Sequence, residues 1–164
     1  MEESFQVRLI TQSDESLFKQ LMNEYIREYV TIEKTYPVRF DPKMGEVYWK
    51  NITEDSQDHV VIVAQQVDEL LGFCIGEIHH FGEIERTYFE GDRRAEIWDI
   101  YVSSEHRGSG IGGEMISQIE KEFVVRGCKN MVLNGVDIDN EGAKKLYEKL
   151  GYRPWNMKYY KRLG

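Results

Sequence analysis

The sequence predicts an α/β domain of the α+β kind: a mixed, mostly antiparallel central sheet of six to seven strands with helices on both faces. Three observations carry that expectation. Residues 59–102 hold three strand-like runs with no helix between them, so they pair antiparallel. An amphipathic helix then separates the third run from a fourth, a β-α-β unit that makes the sheet mixed. No repeat, low-complexity tract or Pro/Gly/Ser linker divides the 164 residues, so 1–164 reads as a single domain.

In chain order, residues 5–10 alternate enough to be a first strand. Residues 11–30 read as a helix. Thr11 or Ser13 can cap it, and Leu17, Phe18, Leu21, Met22, Tyr25, Ile26 and Tyr29 recur at helical spacing. Asp41-Pro42 is a second start signal, a cap followed by proline at the first helical position, and a short helix with Met44, Val47, Tyr48 and Ile52 follows. Residues 59–67 and 70–79 are strand-like and joined by a tight hairpin at Asp68-Glu69. The stretch 82–93 is charged and irregular, a long hairpin tip before a strand at 94–102. A helix over 110–126 buries Ile111, Met115, Ile119 and Phe123 and ends at Gly127. A strand at 130–136, a helix at 140–150 stopped by Gly151, and one or two final strands within 152–163, broken at Pro154, complete the order.

Composition narrows the function. Apolar residues make up 41% and charged residues 30%, the profile of a soluble globular protein, and no apolar run approaches the roughly 20 residues of a membrane span. The start Met1-Glu2-Glu3 is acidic, unlike a signal peptide, and Cys74 and Cys128 read as buried thiols of a reducing compartment, so a cytoplasmic location is expected. A net charge of −8 opposes a nucleic-acid partner and favours a cationic second substrate such as an amine.

The most informative stretch is Arg107-Gly108-Ser109-Gly110-Ile111-Gly112-Gly113, after a strand and before an amphipathic helix. Its glycines let backbone N–H groups at a helix start turn toward one anion, and Arg107 adds a charged donor at the mouth. In a chain this acidic, such an anion must be held by local backbone dipoles. The segment Gly108-x-Gly110-x-x-Gly113 also satisfies the dinucleotide fingerprint, with Asp137 as a ribose-binding acid. Context counts against it, because Ser103-Ser104-Glu105-His106-Arg107 separates the strand from the first glycine and only about fifty residues follow. A P-loop is excluded, since no Gly-Lys-Ser/Thr follows.

The run from Ile100 to Gly112 resembles the acyl-CoA-binding motif of the GNAT (Gcn5-related) N-acetyltransferases, Arg/Gln-x-x-Gly-x-Gly/Ala after a strand, with Arg107, Gly110 and Gly112 at its fixed positions. A second match lies downstream. Asn140-x-x-Ala143-x-x-Leu146-Tyr147-x-x-x-Gly151-Tyr152 is similar to the family's Asn-x-x-Ala-x-x-Leu/Phe-Tyr-x-x-x-Gly-Phe segment. The resemblance is tight over 95–152, looser in the preceding hairpin and absent from the first fifty residues. It implies the acyl-CoA N-acyltransferase fold and acetyl-CoA as cosubstrate, without a metal. The CoA pyrophosphate would sit on the N–H groups of Gly108, Ser109, Gly110, Ile111, Gly112 and Gly113, at the positive end of the helix dipole. The pantetheine arm would run along Ile100, Tyr101 and Val102, where the family's strand carries a bulge and splays from the next.

The resemblance also assigns chemistry. Tyr147 matches the family's general acid, and Asn140, two helical turns earlier, would face the cofactor with it. Glu96 matches the glutamate of the histone-modifying branch and is the first candidate base; Asp99 is the second. Strict alternation puts Glu96 and Asp99 on opposite faces unless a bulge intervenes. Many family members use only water there. The backbone N–H of Val102 would polarise the thioester carbonyl. Bland readings accompany these: Tyr147 suits a core stripe, and Glu96 could pair with Arg93 or Arg94.

Other groups carry less. His79-His80 beside Glu77 suggests metal, but adjacent strand residues face opposite ways and no third ligand is spaced to match. Trp49, Trp98, Trp155 and the ten tyrosines suit a core or an acceptor pocket. The acidic tip Glu83, Glu85, Glu90 and Asp92 is a solvated run or a cation lure, and Glu33, Tyr36 and Arg39 lie where the family varies its acceptor pocket.

The expected function is acetyl transfer from acetyl-CoA to a primary amine by direct attack in a ternary complex. The acceptor is a small-molecule amine or a peptide, with a small cationic amine favoured. A non-catalytic acyl-CoA sensor on the same fold and a dinucleotide-dependent oxidoreductase are the rival readings. Met157-Lys158-Tyr159-Tyr160 could pair across a homodimer interface.

Overall fold

The computed structural model describes residues 4–54 and 57–163; the acidic start Met1-Glu2-Glu3 lies outside them. Five strands form one sheet in the order β1-β2-β3-β4-β5: β1 (Gln6–Leu9), β2 (His59–Gln66), β3 (Glu69–His80), β4 (Arg93–Val102) and β5 (Met131–Leu133). The first four pair antiparallel and β4 pairs β5 in parallel, the mixed sheet that the β-α-β unit demands. Helices α1 (Glu15–Ile32) and α2 (Met44–Glu54) precede the main hairpin. Helix α3 (Ile111–Val125) crosses from β4 to β5, and α4 (Glu141–Lys149) follows.

Both faces of the sheet are buried, because β2 and β3 run apolar without alternation over 60–64 and 70–75. Val60, Ile62, Ala64, Leu71 and Cys74 pack against Ile111, Met115, Ile119 and Phe123 of α3. Val61, Val63, Leu70, Phe73 and Ile75 pack against Phe18, Leu21, Met22 and Ile26 of α1 and Trp49 and Ile52 of α2. Gly76 lets β4 and α3 close on β3, since a Cβ there would meet Glu96 O at 2.7 Å and the Phe123 ring at 2.8 Å.

Thr11 starts α1 through a short 3-10 turn, its backbone N–H and hydroxyl both donating to Asp14 Oδ2 at 2.7 and 2.9 Å. Asp14 also takes a bidentate pair from Arg8, 2.7 Å on each oxygen. That pairing holds its carboxyl down to about 2.

Three expectations need correction. The β2–β3 turn is Val67-Asp68, one residue earlier than Asp68-Glu69, because an irregularity at Ala64/Gln65 advances the register so that Gln66 faces Glu69. Val67 consequently sits at φ 50°, costly for a β-branched residue, with its carbonyl held by Gln65 Nε2 at 2.9 Å. The strand at 130–136 shortens to Met131–Leu133. The described residues form five strands rather than six to seven, because no strand forms within 152–163. Pro154 lacks a ladder donor and a three-residue β5 offers little edge to pair with. Trp155, Met157, Tyr159 and Leu163 of that segment are exposed, so the sequence proposed for a dimer interface is not a strand here.

Candidate active site

The loop after β4 is pinned by its side chains, which leaves its backbone free. Ser103 N donates to Leu71 O at 2.9 Å, Ser103 Oγ meets His106 Nδ1 at 2.8 Å, and Ser109 Oγ donates to His106 O at 2.6 Å. From Arg107 to Gly113, no backbone N–H has an acceptor among the described residues. Gly108 and Gly110 have φ of 82° and 90°, and Gly110 is the N-cap of α3. Seven successive free donors at the positive end of a 15-residue helix could hold a phosphate-sized anion. The donor set fits the diphosphate of a CoA-type cofactor, which needs several donors along one stretch of backbone.

β4 opens beside this loop. Ala95, Glu96 and Ile97 pair with β5, and Asn134 N closes the ladder on Ile97 O at 2.9 Å. There the strands part. Opposite Ile75 and Gly76 the register passes from Asp99 to Ile97, so Trp98 is the extra residue of a bulge and stands exposed. Past it, Asp99 and Tyr101 bond to β3, while Ile100 and Val102 turn their backbone groups to an edge without a strand partner.

The bulge also sets which acids share a face. Glu96 pairs with Glu77 and Asp99 with Ile75, two residues apart on β3, so both acids lie on the α1–α2 side. Their surroundings differ. Glu96 is 8% exposed and both its oxygens are engaged, Oε1 by Arg94 Nε and a terminal guanidinium nitrogen at 2.7 Å and Oε2 by Asn134 Nδ2 at 2.8 Å. Asp99 accepts from the Tyr25 hydroxyl at 2.6 Å and the Tyr48 hydroxyl at 3.2 Å, and no cation faces it among the described residues. Burial raises its carboxyl above the usual range, against the lowering by the two phenols. Tyr25 and Tyr48 are raised in turn, first by burial and then by the Asp99 charge.

Asn140 caps α4, its Oδ1 accepting from Ala143 N at 3.0 Å. Helix α4 packs on the first turn of α3, where a Cβ on Gly112 would meet Leu146 at 3.4 Å. Tyr147 is 9% exposed, lies edge-on to Tyr152 with centroids 6.2 Å apart, and its hydroxyl has no hydrogen-bond partner among the described residues. Burial pushes the phenol up to about 12. Arg107 reaches across the open edge: Nε donates to Val102 O at 2.9 Å and a terminal nitrogen to Glu28 at 2.6 and 2.7 Å.

The remaining candidates lie apart. His59, His79 and His80 each face a different carboxylate, Glu77 at 3.4 Å, Glu85 at 2.9 Å and Asp58 at 2.8 Å. Glu85 of the acidic tip is also drawn in by Gly82 N, which with His79 lowers its carboxyl. Glu33 accepts from Thr35 N, Tyr36 N and the Tyr29 hydroxyl, and Tyr36 stacks edge-on against Tyr160 at 5.2 Å beside a cavity of about 340 Å³. Tyr25, Glu28, Tyr48 and Asn134 join the site without having been singled out for it. Tyr25 and Tyr48 stand out in the sequence only by helix periodicity and as two of the ten tyrosines suited to a core or an acceptor pocket, because their partner lies 74 and 51 residues away. Glu28 and Asn134 belong to no motif, so nothing in the sequence pointed to them.

Residues 18–152 match the profile of the Acetyltransferase (GNAT) family. An acetyltransferase of Sodalis glossinidius is 31% identical over 93 residues, 56% of this chain and 55% of its own length. An uncharacterized N-acetyltransferase of Methanocaldococcus jannaschii is 26% identical over 149 residues, 91% of this chain and 61% of its own. The chain therefore spans little more than half to three fifths of these curated relatives. The crystal structure of a GCN5-related N-acetyltransferase from Ralstonia eutropha superposes with a TM-score of 0.73 over 98% of this chain and 100% of that one. At 19% identity that likeness is one of fold.

Proposed function

This chain belongs to the GNAT acetyltransferase family, and from that premise we propose that it transfers the acetyl group of acetyl-CoA to a primary amine by direct attack in a ternary complex. One observation carries the reading: the free N–H groups of residues 107–113 lie one short turn beyond the unpaired β4 edge at Ile100 and Val102. A phosphate-bearing chain with an extended amide arm suits both at once.

Acetyl-CoA supplies the thioester and a thiolate leaving group. Arg107, Gly108, Ser109, Gly110, Ile111, Gly112 and Gly113 hold its diphosphate on their N–H groups. Ile100, Tyr101 and Val102 seat the arm along the strand, and Val102 N–H donates to the thioester carbonyl oxygen. Asn140, whose Oδ1 is engaged in the cap, keeps Nδ2 as a donor toward the cofactor.

Asp99 is the base we favour over Glu96. Both oxygens of Glu96 are engaged by Arg94 and Asn134, whereas Asp99 is held by neutral phenols and has a raised affinity for protons. It takes the proton of the incoming ammonium and leaves the amine lone pair for attack. An unpaired, part-buried carboxylate among Tyr25, Tyr48 and Tyr29 favours a small cationic amine over a peptide. Tyr147 donates a hydrogen bond to the sulfur as the C–S bond breaks. Its phenol near 12 lies about 3 pH units above an ordinary thiol, so complete proton transfer is uphill and solvent finishes it. The proposed chemistry draws on no metal. A cytoplasmic location and a homodimer belong to the same proposal; among the described residues no helix is long and apolar enough to cross a membrane.

Release of free thiol from acetyl-CoA, measured against a panel of diamines, polyamines, aminoglycosides, amino acids and peptides, tests the reading. Turnover with a small cationic amine is expected. Uptake of acetyl-CoA without thiol release from any mixture would make the chain an acyl-CoA sensor. A melting temperature raised by NAD and not by acetyl-CoA would overturn the assignment.

A further inference from the structure

Arg107 has two claims on its guanidinium. It belongs to the anion nest, whose first free N–H is its own. Yet its side chain is committed to α1: a terminal nitrogen meets both Glu28 oxygens at 2.6 and 2.7 Å, and the group lies 5.6 Å over the Tyr101 ring. The Tyr101 hydroxyl adds a third contact to Glu28 at 3.2 Å. Through Nε, Arg107 also occupies Val102 O, an acceptor of the open β4 edge. Glu28 sits on α1 between Tyr25, which holds Asp99, and Tyr29, which holds Glu33. One ion pair thus ties the anion loop to the helix that supplies the tyrosines around Asp99.

We propose that Glu28 and the cofactor's phosphates compete for Arg107, so that loading the donor site releases an acidic group on α1 beside the acceptor tyrosines; this rests on the acetyl-CoA reading above. The ion pair is half-exposed, 47% for Arg107 and 31% for Glu28, and pairs this accessible are weak. A diphosphate carries more charge than one carboxylate and meets the nest donors at the same time, so it takes the arginine. Release of Arg107 also frees Val102 O for the arm. Glu28 then stands as an unpaired carboxylate with Tyr101 as its remaining partner, and a cationic acceptor gains a second anionic contact. By reciprocity, whatever cofactor binding gives to the acceptor, the acceptor returns to the cofactor, so the two ligands bind with positive coupling.

A brace makes the opposite prediction. If Glu28 holds Arg107 in place for the phosphates, its removal weakens cofactor binding; if it competes, its removal strengthens it. Calorimetric titration of CoA into the full chain separates the two, comparing wild type, Glu28→Gln, Glu28→Ala and a control, Glu24→Gln, on the same helix one turn earlier. Competition predicts that both Glu28 variants bind CoA about 3- to 10-fold tighter at low salt, with Glu24→Gln within about twofold of wild type. The gain should shrink in 0.5 M NaCl, because the removed interaction is a screened charge pair (Debye length about 4 Å). Unchanged or weaker CoA binding in both Glu28 variants, with melting temperatures kept, overturns the proposal. So does an equal gain in the control. If wild type takes up no CoA, both the functional reading and this inference fail; if it binds CoA and the variants bind no tighter, only the competition fails.

Discussion

Replacing Gly110 with alanine separates the two things this residue does. It is the N-cap of α3 at φ 90° and ψ −9°, and a Cβ built there meets no heavy atom within 4 Å. The substitution is therefore free of clashes and carries conformational strain alone, about 1–2 kcal/mol for an L residue in the left-handed region. The loss of chain freedom in the unfolded state returns about 0.4–1 kcal/mol, which leaves a net loss near 1 kcal/mol. For a chain of this length that is a fall of about 2–4 °C in melting temperature. Binding should suffer more. A hydrogen bond to a charged group is worth about 1.5–3 kcal/mol, so if relief of that strain turns the residue 110 N–H out of line with the anion, the CoA Kd rises about 10- to 100-fold. Gly127 is the matched control: it lies just past the other end of α3, has φ 85° and is equally open. Gly127→Ala should lose the same few degrees and keep its affinity. Calorimetry and thermal melts on both variants read the two effects. A Gly110→Ala protein that binds CoA like wild type, or a Gly127→Ala protein that loses affinity equally, refutes the nest.

Three further outcomes follow from the site and its supports. Tyr147→Phe removes a hydroxyl that has no structural hydrogen bond, so melting temperature and acetyl-CoA KM should hold within about twofold while turnover falls about 10- to 100-fold in thiol release; unchanged turnover across pH would remove Tyr147 from the chemistry. Asp99→Asn should lower turnover about 100-fold and erase the acid limb of the rate profile, where protonation silences the base. Its stability effect runs the other way: a carboxyl raised on folding stabilises below its unfolded value of about 3.9 and loses that contribution as pH climbs past the raised one, so the asparagine variant should melt higher at pH 7 and converge with wild type near pH 4. An Asp99→Asn protein that is less stable at pH 7 would contradict this. Asp14 is the mirror case, with its carboxyl lowered to about 2 by Arg8: it contributes about 2 kcal/mol above its unfolded value, lost as pH falls from about 4 through 2, and urea melts of Asp14→Asn should lack that acid-side loss.

Local signals carried far along this chain. The period of α3 placed Ile111, Met115, Ile119 and Phe123 inward, and all four are buried, because a helix has one stripe to hide and four apolar residues at that spacing define it. The glycine loop was legible for the same kind of reason, since the residues that permit positive φ and the helix they cap are neighbours in the chain. Where pairing depended on distant chain, legibility faded. The hairpin turn moved by one residue through an irregularity in the ladder, and residues 152–163 carry a strand-like composition without a partner edge to recruit them.

Sequence alone pointed to the family, the order of elements as far as α4 and the glycine loop at the start of α3, because each is written in contiguous residues with short-range rules. It also offered Glu96, Asp99 or water alone as the base and left to a bulge whether the two acids share a face. Tertiary structure decided what each acid meets. The bulge at Trp98 turns both toward α1 and α2, yet Arg94 and Asn134 occupy Glu96 while Tyr25 and Tyr48 leave Asp99 without a cation. The difference is between an ion pair with Arg94, two residues along the strand and completed by Asn134 from 38 residues away, and a part-buried charge held by Tyr48 and Tyr25 from 51 and 74 residues away. The Arg94 pairing was within reach of the sequence, two residues from Glu96, but no window of sequence holds the other partners or the desolvation of Asp99, since both come from packing.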